Sequence, residues 1–394
     1  MKQIHVLEVA KSTAGVGEYI KWIANGLDRE AFKLTIMCLS EGSTELAFEL
    51  NKITGVNAYS MGMDRYKINL FSDSQVLIGL RRLIGNQKFD LIHAHASKPG
   101  FITRLAAFGT GIPVIYSPHC FPFHPGIGRF KAKLLAILER SAARYLTTHI
   151  ITVSNAERDL ALRYQIDRKD KFTTIYSGVK MKQFNTPIDR PAIRKSLGVS
   201  KETILIGTVG RLSKQKGVND FIESAEIIHT ERPDTRFIWV GDGPLESMAR
   251  NTVKSKGLSH IFYFMGQRKD VPNILRVMNC FVLSSHWEGF SLAILEAMAA
   301  GLPIVATRVT GADEAIVEGE NGFLVAPKDP TAIGRAVLKI INNRDLALQF
   351  GTFGRQRVEK YFNRTNMISQ LLQLYQHTYK SYQKKTVKCK NIKK

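Results

Sequence analysis

Short apolar runs alternate with longer stretches of helical period along the chain. Ile4–Ala10, Lys33–Leu39, Val56–Tyr59, Leu91–Ala94, Val114–Tyr116, Ile150–Val153 and Phe172–Ile175 read as strands. After a polar interval the pattern resumes with Ile204–Gly210, Phe237–Gly241, Ile261–Met265, Cys280–Leu283 and Leu302–Ala306. Helical patterns fill the gaps, among them residues 16–27, Ala96–Phe108, Ile127–Tyr145, Val218–His229 and Asn366–Tyr382. Strands and helices in strict alternation predict parallel sheets wrapped by helices, an α/β protein.

The length, 394 residues, exceeds one ordinary core and sets an expectation of two domains. The boundaries predicted are 1–178 for the first domain, 179–200 for a polar and basic linker, 201–365 for the second domain, and 366–394 for a last helix with a basic tail. Cys38, Cys120, Cys280 and Cys389 are far apart and form no CxxC pair, so neither zinc nor a disulfide framework is indicated. Met1–Val6 runs straight into a strand, and no run of 18 apolar residues exists, which gives the expectation of a cytoplasmic chain that does not span a membrane.

Charge changes this picture. Lys and Arg number 56 against 34 Asp and Glu, a net of +22. Between residues 51 and 155 the basic residues Lys52, Arg65, Lys67, Arg81, Arg82, Lys88, Lys98, Arg104, Arg129, Lys131, Lys133, Arg140 and Arg144 outnumber Asp64, Asp73, Asp90 and Glu139 threefold. The tail Lys384–Lys394 is basic and free of acids. Such an excess points to an anionic polymer or an anionic membrane face. Within it, Ile127–Tyr145 mixes Phe130, Leu134, Leu135, Ile137 and Leu138 with five cations. Two readings stand: a helix lying on anionic lipid, or a domain helix with an apolar inner and a charged outer face.

Candidate chemistry concentrates in the second half. Strand Cys280–Leu283 leads through a polar turn with Gly289 into an Ala- and Leu-rich helix that Gly301 and Pro303 stop. A helix start above a sheet offers free N–H groups and partial positive charge to a phosphate. Glu288 stands in the turn and Glu296 eight residues on, expected to face inward among Leu292, Ile294, Leu295 and Met298, where an unpaired charge is costly. Earlier, Arg211 and Lys216 bracket the strand-to-helix turn Gly210–Gly217, so both reach one anion, Arg as a fork and Lys as a point charge. The P-loop spacing is absent there.

In the first half, Gly15 and Gly17 form a glycine turn after the first strand, without the third glycine of a dinucleotide fingerprint, since Ile20 stands in its place. His119 opens a Pro- and aromatic-rich loop at a strand end, where α/β sheets hold ligands. His93 and His95 share one face of a strand, but no third metal ligand is evident at a suitable spacing.

Glu288-x7-Glu296 within EGFSLAILEAMAAGLPIVAT resembles the signature of the retaining glycosyltransferases of family 4, which have the GT-B fold of two facing Rossmann-like domains. Tyr176–Val179 with Phe184 is similar to that family's crossover, and HASKPGFITRLAA…IPVIYSPHCFPFH resembles its capsule, O-antigen and exopolysaccharide enzymes. The resemblance implies transfer from a UDP- or GDP-sugar to a lipid-linked or oligosaccharide acceptor at the cytosolic membrane face. It makes Arg211 and Lys216 the diphosphate pair and has Glu288 grip the donor sugar rather than attack it, as a retaining glycosidase carboxylate would. His119 then faces donor sugar and acceptor. Gly15, Arg268, Phe290, Ser291, Leu292 and Glu296 bind the donor, and the last helix returns to brace the first domain.

No metal is expected, because protein charges meet the leaving group and no Asp-x-Asp pair is present. A nucleotide-sugar 2-epimerase of the same architecture and a non-catalytic binder of anionic polymers are the alternatives. Nucleic acid is not an expected partner, since no reader motif accompanies the scattered Lys and Arg.

Overall fold

A computed structural model describes residues 3–11, 14–39, 43–64, 68–124 and 126–392. Ser12 and Thr13 of the glycine turn, Arg65 and Lys67 of the basic stretch, and the side chains of the tail beyond Lys384 lie outside the described residues. The chain divides into two units. The first comprises Met1–Tyr176 with Thr365–Lys394, and the second Ser177–Arg364.

The first unit is built on β1 (Ile4–Ala10), β2 (Phe32–Leu39), β3 (Val56–Met61), β4 (Leu91–His95), β5 (Val114–Ser117), β6 (His149–Thr152) and β7 (Phe172–Thr174). They pair in parallel in the order β3-β2-β1-β4-β5-β6-β7. All seven positions of β1 and all five of β4 are buried, as parallel strands covered on both faces require. The second unit repeats the scheme with β8 (Ile204–Val209), β9 (Thr235–Val240), β10 (Phe262–Phe264), β11 (Cys280–Leu283), β12 (Ile304–Thr307) and β13 (Gly322–Val325). Its order is β10-β9-β8-β11-β12-β13, again all parallel. Both sheets are doubly wound, and in each the order reverses next to the first strand of the unit, at β1/β4 and at β8/β11. Ligands of such sheets bind beyond the carboxyl ends of the strands at that reversal.

Two expectations need correction. The stretch expected as a linker, 179–200, folds onto the second unit as two short helices, Lys182–Asn185 and Arg190–Ser196. The Arg194 guanidinium pins it there by donating to the carbonyls of Ser200 (2.7 Å), Val277 (2.8 Å) and Thr203. Gly15 is no turn residue, because the helix Ala14–Gly26 already includes it. Nor is the basic stretch all free surface. Arg81 and Arg140 are occupied with backbone carbonyls, and Lys98 pairs with Asp73 at 2.7 Å.

Arg104 is the extreme case. Fully buried, it lies over the Tyr116 ring at 3.8 Å and forks onto Glu139 at 2.6 and 3.0 Å. That pair ties the helix Ser97–Ala107 to the helix Arg129–Leu146. The inner face of the latter consists of Ala132, Ala136, Glu139, Ala142 and Ala143. Its large apolar residues turn outward: Phe130 is 84% exposed, Leu134 50%, Ile137 54% and Leu138 47%. The last helix, Arg364–Ile392, returns to the first unit, where Tyr375 is fully buried with its ring edge-on to Phe32, the centroids 6.2 Å apart.

Removing one member of a buried ion pair strands the other. Glu139→Ala is expected to lower the stability of the first unit by about 3–5 kcal/mol in denaturant unfolding. A loss under about 1 kcal/mol would place the pair with ordinary surface bridges.

Candidate functional site

In the second unit, the loops that leave β8 and β11 meet at the sheet's reversal. Lys216 ends the short turn Lys214–Lys216, and Gly217 comes next with φ +59° as the start of the helix Val218–Glu231. A Cβ on Gly217 would stand 2.0 Å from the Ser284 carbonyl oxygen, so only glycine lets the two loops approach this closely. Ser284 Oγ donates to the Lys216 carbonyl at 2.8 Å, and His286 N–H to the Gln215 carbonyl at 2.7 Å.

The side chains converge on Glu288. Its Oε1 takes Lys216 Nζ at 2.6 Å and Ser285 Oγ at 2.8 Å, while Gln215 Nε2 reaches Oε2 at 3.3 Å. Glu288 is buried and its charge is met, as burial demands. Lys216 keeps further N–H donors for an anion, since an ammonium has three and Glu288 is its single acceptor among the described residues. Beside them, His286 Nε2 and Asp220 Oδ2 lie 2.7 Å apart, which holds the loop against the start of the Val218–Glu231 helix.

Three residues on from Gly289, the helix Leu292–Ala299 begins. Ser291 is its N-cap but makes no capping hydrogen bond, and its buried Oγ has no partner among the described residues. A hydroxyl at a helix start and an ammonium with donors left over are both groups that can bond an anion. Arg211 stands half-buried at the head of the same β8 loop. Within the helix, the less buried positions are Leu292 and Glu296, one turn apart. Glu296 thus lies on the one face not packed into the core, which corrects the expectation that it points inward.

Two expected donor residues are placed differently. The Phe290 ring is buried 5.4 Å from the Phe362 ring, so that side chain serves packing. Arg268 is exposed and forks onto Asp270, both contacts at 2.8 Å, which holds it to its own turn.

The first unit holds a second polar cluster at its own reversal. Glu8 on β1 sits across from His93 on β4. Its Oε2 meets His95 Nε2 at 2.7 Å, and its Oε1 accepts from the Tyr375 hydroxyl at 2.6 Å. His93 bridges Tyr375 (Nδ1, 2.5 Å) and Ser117 (Nε2, 2.8 Å). His95 Nδ1 in turn meets His119 Nε2 at 2.9 Å. Glu8, His93 and His95 are fully buried. Burial alone would raise the Glu8 carboxyl, but His93 and His95 bring it well below the ordinary range. Burial, then His93, pushes His95 down to about 4 against the pull of Glu8.

His119 is half-buried and adopts φ +58°, a left-handed conformation unusual outside glycine. Tyr19 packs edge-on against its ring at 5.0 Å. Burial, then His95, His93 and Lys11, hold it well below its ordinary pKa, with Glu8 opposing.

By donor type Glu8, His93 and His95 form a metal-capable trio, with one ligand atom from each within 4.8 Å of the others. Their nitrogens, however, are spent on hydrogen bonds: His95 to Glu8 and His119, His93 to Tyr375 and Ser117. The cluster reads as a proton-ordered network. Sequence reasoning found both histidines but missed Glu8, the one acid in the buried strand β1, and Tyr375, which a separation of 282 positions from His93 concealed. It also missed Gln215 and Ser285, short polar residues with no distinguishing spacing.

Two family models match the chain. Glycosyltransferase Family 4 covers residues 13–183, and Glycosyl transferases group 1 covers residues 189–357. Among curated proteins, the chain is 29% identical over 355 residues to the UDP-Gal:alpha-D-GlcNAc-diphosphoundecaprenol alpha-1,3-galactosyltransferase of Escherichia coli, spanning 89% of this chain and 90% of that protein. It is 28% identical over 342 residues to the capsular polysaccharide biosynthesis glycosyltransferase CapM of Staphylococcus aureus, spanning 83% and 87%. Among solved structures, HepE of Anabaena in complex with UDP and glucose superposes with a TM-score of 0.80 at 20% identity, covering 95% of this chain and 100% of that one. WaaG, a glycosyltransferase involved in lipopolysaccharide biosynthesis, gives 0.74 at 14% identity, covering 92% and 98%. The architecture is the two-domain α/β fold of these enzymes, GT-B.

Gly217 and Gly257 both have positive φ, but a Cβ on Gly257 meets nothing within 4 Å. Gly257→Ala is expected to cost about 1–3 kcal/mol from backbone strain alone. Gly217→Ala must also displace the Ser284 carbonyl and is expected to cost clearly more in urea unfolding. Equal losses would contradict the close packing of the two loops.

Proposed function

The chain belongs to the glycosyltransferases that carry a family 4 domain followed by a group 1 domain, and from that premise we propose that it moves a sugar, with retention of configuration, from a UDP-sugar to a lipid-linked saccharide. The S. aureus relative is named for capsular polysaccharide biosynthesis, and the E. coli relative's name gives both a UDP-sugar and a diphosphoundecaprenol acceptor. UDP in the HepE crystal supports the same base over GDP. The observation that carries the reading is the Lys216–Glu288 pair beside the unpartnered Ser291 hydroxyl at a helix start.

In this reading the diphosphate lies between the β8 and β11 loops. As the bond from sugar C1 to the phosphate oxygen breaks, negative charge grows on the leaving diphosphate. Lys216, Arg211, the Ser291 hydroxyl and the start of the Leu292–Ala299 helix stand ready for it, which lowers the barrier without rearrangement. No divalent metal is required. Glu288 fixes Lys216 and accepts from a donor-sugar hydroxyl, and Glu296 binds the ribose. With its lone pairs shared among Lys216, Ser285 and Gln215, Glu288 is a poor nucleophile. Retention then comes from front-face attack, with a donor phosphate oxygen taking the acceptor's proton. The first unit holds the acceptor, and His119 positions the reacting sugars.

Among the described residues no helix is long and apolar enough to cross a membrane. The reading places the chain on the cytoplasmic membrane face through the helix Arg129–Leu146. Phe130, Leu134, Ile137 and Leu138 project from it, rimmed by Arg129, Lys131, Lys133 and Arg144, while its one acid, Glu139, is buried against Arg104. Apolar residues ringed by cations suit the interface of an anionic bilayer, and the basic tail adds charge.

UDP at 100 times its dissociation constant is expected to stabilise the chain by about 2.7 kcal/mol in thermal unfolding. EDTA should leave that shift in place, and Lys216→Ala should abolish it while the unliganded chain stays folded. A full shift in Lys216→Ala rules out the diphosphate role. For the membrane, the Phe130→Ser, Leu134→Ser and Ile137→Ser triple variant should stop sedimenting with phosphatidylglycerol vesicles yet keep its UDP shift. Unchanged sedimentation removes this helix from the docking surface.

A further inference from the structure

We propose that Glu8 is a positioning residue: through His95 it fixes His119 as the tautomer protonated on Nε2, so that Nδ1 is the lone pair offered to a substrate hydroxyl. The inference rests on the reading that His119 meets substrate, and it adds a residue and an atom to that reading.

The proton order is dictated by the donors available. An ionised carboxylate only accepts. Glu8 Oε1 accepts from the Tyr375 hydroxyl at 2.6 Å, so the one tyrosine proton is spent there. Tyr375 must then accept from His93 Nδ1–H, with Ser117 the partner of His93 Nε2. Oε2 of Glu8 accepts from His95 Nε2–H at 2.7 Å. A neutral imidazole carries one N–H, so His95 Nδ1 is a bare lone pair, and its 2.9 Å contact requires the proton on His119 Nε2. His119 Nδ1 is the ring atom left over, and no protein group among the described residues bonds to it. Each link needs the one before it. Neutralise Glu8, and nothing dictates which nitrogen of His95 carries the proton.

The surroundings keep His95 and His119 neutral and in place. The groups facing His119 are Lys11, His93, His95, Glu8 and Tyr19. The two neighbouring rings and Lys11 oppose a charge on it, and burial opposes it more, so the relay orients rather than stores a proton. The interplanar angle of His95 and His119 is 15°, the near-coplanar arrangement of an edge-to-edge imidazole bond. The left-handed backbone at His119 and the fully buried Tyr375 on the returning helix are features a simple packing histidine does not need.

The test is nitrogen NMR on the full chain labelled with 15N-histidine, with the His119 signals assigned by their loss in His119→Asn. At neutral pH the wild type should show a protonated Nε2 and an unprotonated Nδ1 at His119, and at His95 likewise a protonated Nε2 with a bare Nδ1. In Glu8→Gln the His119 nitrogens should move toward the averaged shifts of a ring exchanging between tautomers. A wild-type His119 protonated on Nδ1 overturns the proposal, as does a folded Glu8→Gln with unchanged His119 shifts. Stoichiometric zinc(II) displacing these ring signals would assign the cluster to metal and overturn it as well. Should Glu8→Gln not fold, the wild-type spectrum decides alone. The readout needs no turnover, so a correct tautomer in a chain without transferase activity counts against the proposed function and not against the relay.

Discussion

The reversal of strand order in a parallel sheet is the constraint that creates the site. At β8/β11 the strand order reverses, and at such a reversal the connections diverge and leave a crevice at the carboxyl ends of the strands. Whatever the loops carry there is concentrated in one crevice. This chain fills the place with a lysine, a buried glutamate and a helix start. The Lys216–Glu288 bond at 2.6 Å connects the loop after β8 to the loop after β11. It satisfies the buried carboxylate and aims the ammonium in the same stroke. Neither loop would be held in that geometry alone, because each borrows hydrogen bonds from the other through Ser284, His286 and Gln215.

The same topological position in the first unit holds a network of a different kind. There the charge is a carboxylate on the strand itself, and the donors are two histidines and a tyrosine. A charge so deep inside a parallel sheet is tolerated only because it is fully bonded. One of its donors comes from the returning C-terminal helix, so folding of that helix and ionisation of Glu8 support each other. One sheet geometry thus carries two arrangements: a lysine held by a carboxylate between two loops, and a buried carboxylate bonded to an imidazole and a tyrosine.

Much of this was legible in the residues. The alternation of apolar runs with helical segments identified twelve of the thirteen described strands to within a few residues. Lys216, Glu288 and the helix start were visible because glycines and charges at fixed offsets leave a local signature. The illegible part depends on contacts remote in the chain. Glu8 needs Tyr375, separated from it by 367 positions, and no local pattern announces that. The burial direction of the Arg129–Leu146 helix was open because its alanines and its large apolar residues lie on different faces. The buried Arg104–Glu139 pair settles it, setting the alanine face inward and Phe130, Leu134 and Ile137 outward. The interval 179–200 looked like a linker from its prolines and lysines, but Arg194 finds three carbonyl acceptors and anchors it. Phe290 sat within a recognisable signature, yet the ring's apolar area is better used against Phe362.

Hydrogen–deuterium exchange, read peptide by peptide with and without saturating UDP, tests the central claim most directly. If the nucleotide's diphosphate rests between the loops after β8 and β11, the amides of residues 210–217 and 284–292 will slow together. Protection confined to other segments, with these two exchanging as in the unliganded chain, would contradict the account.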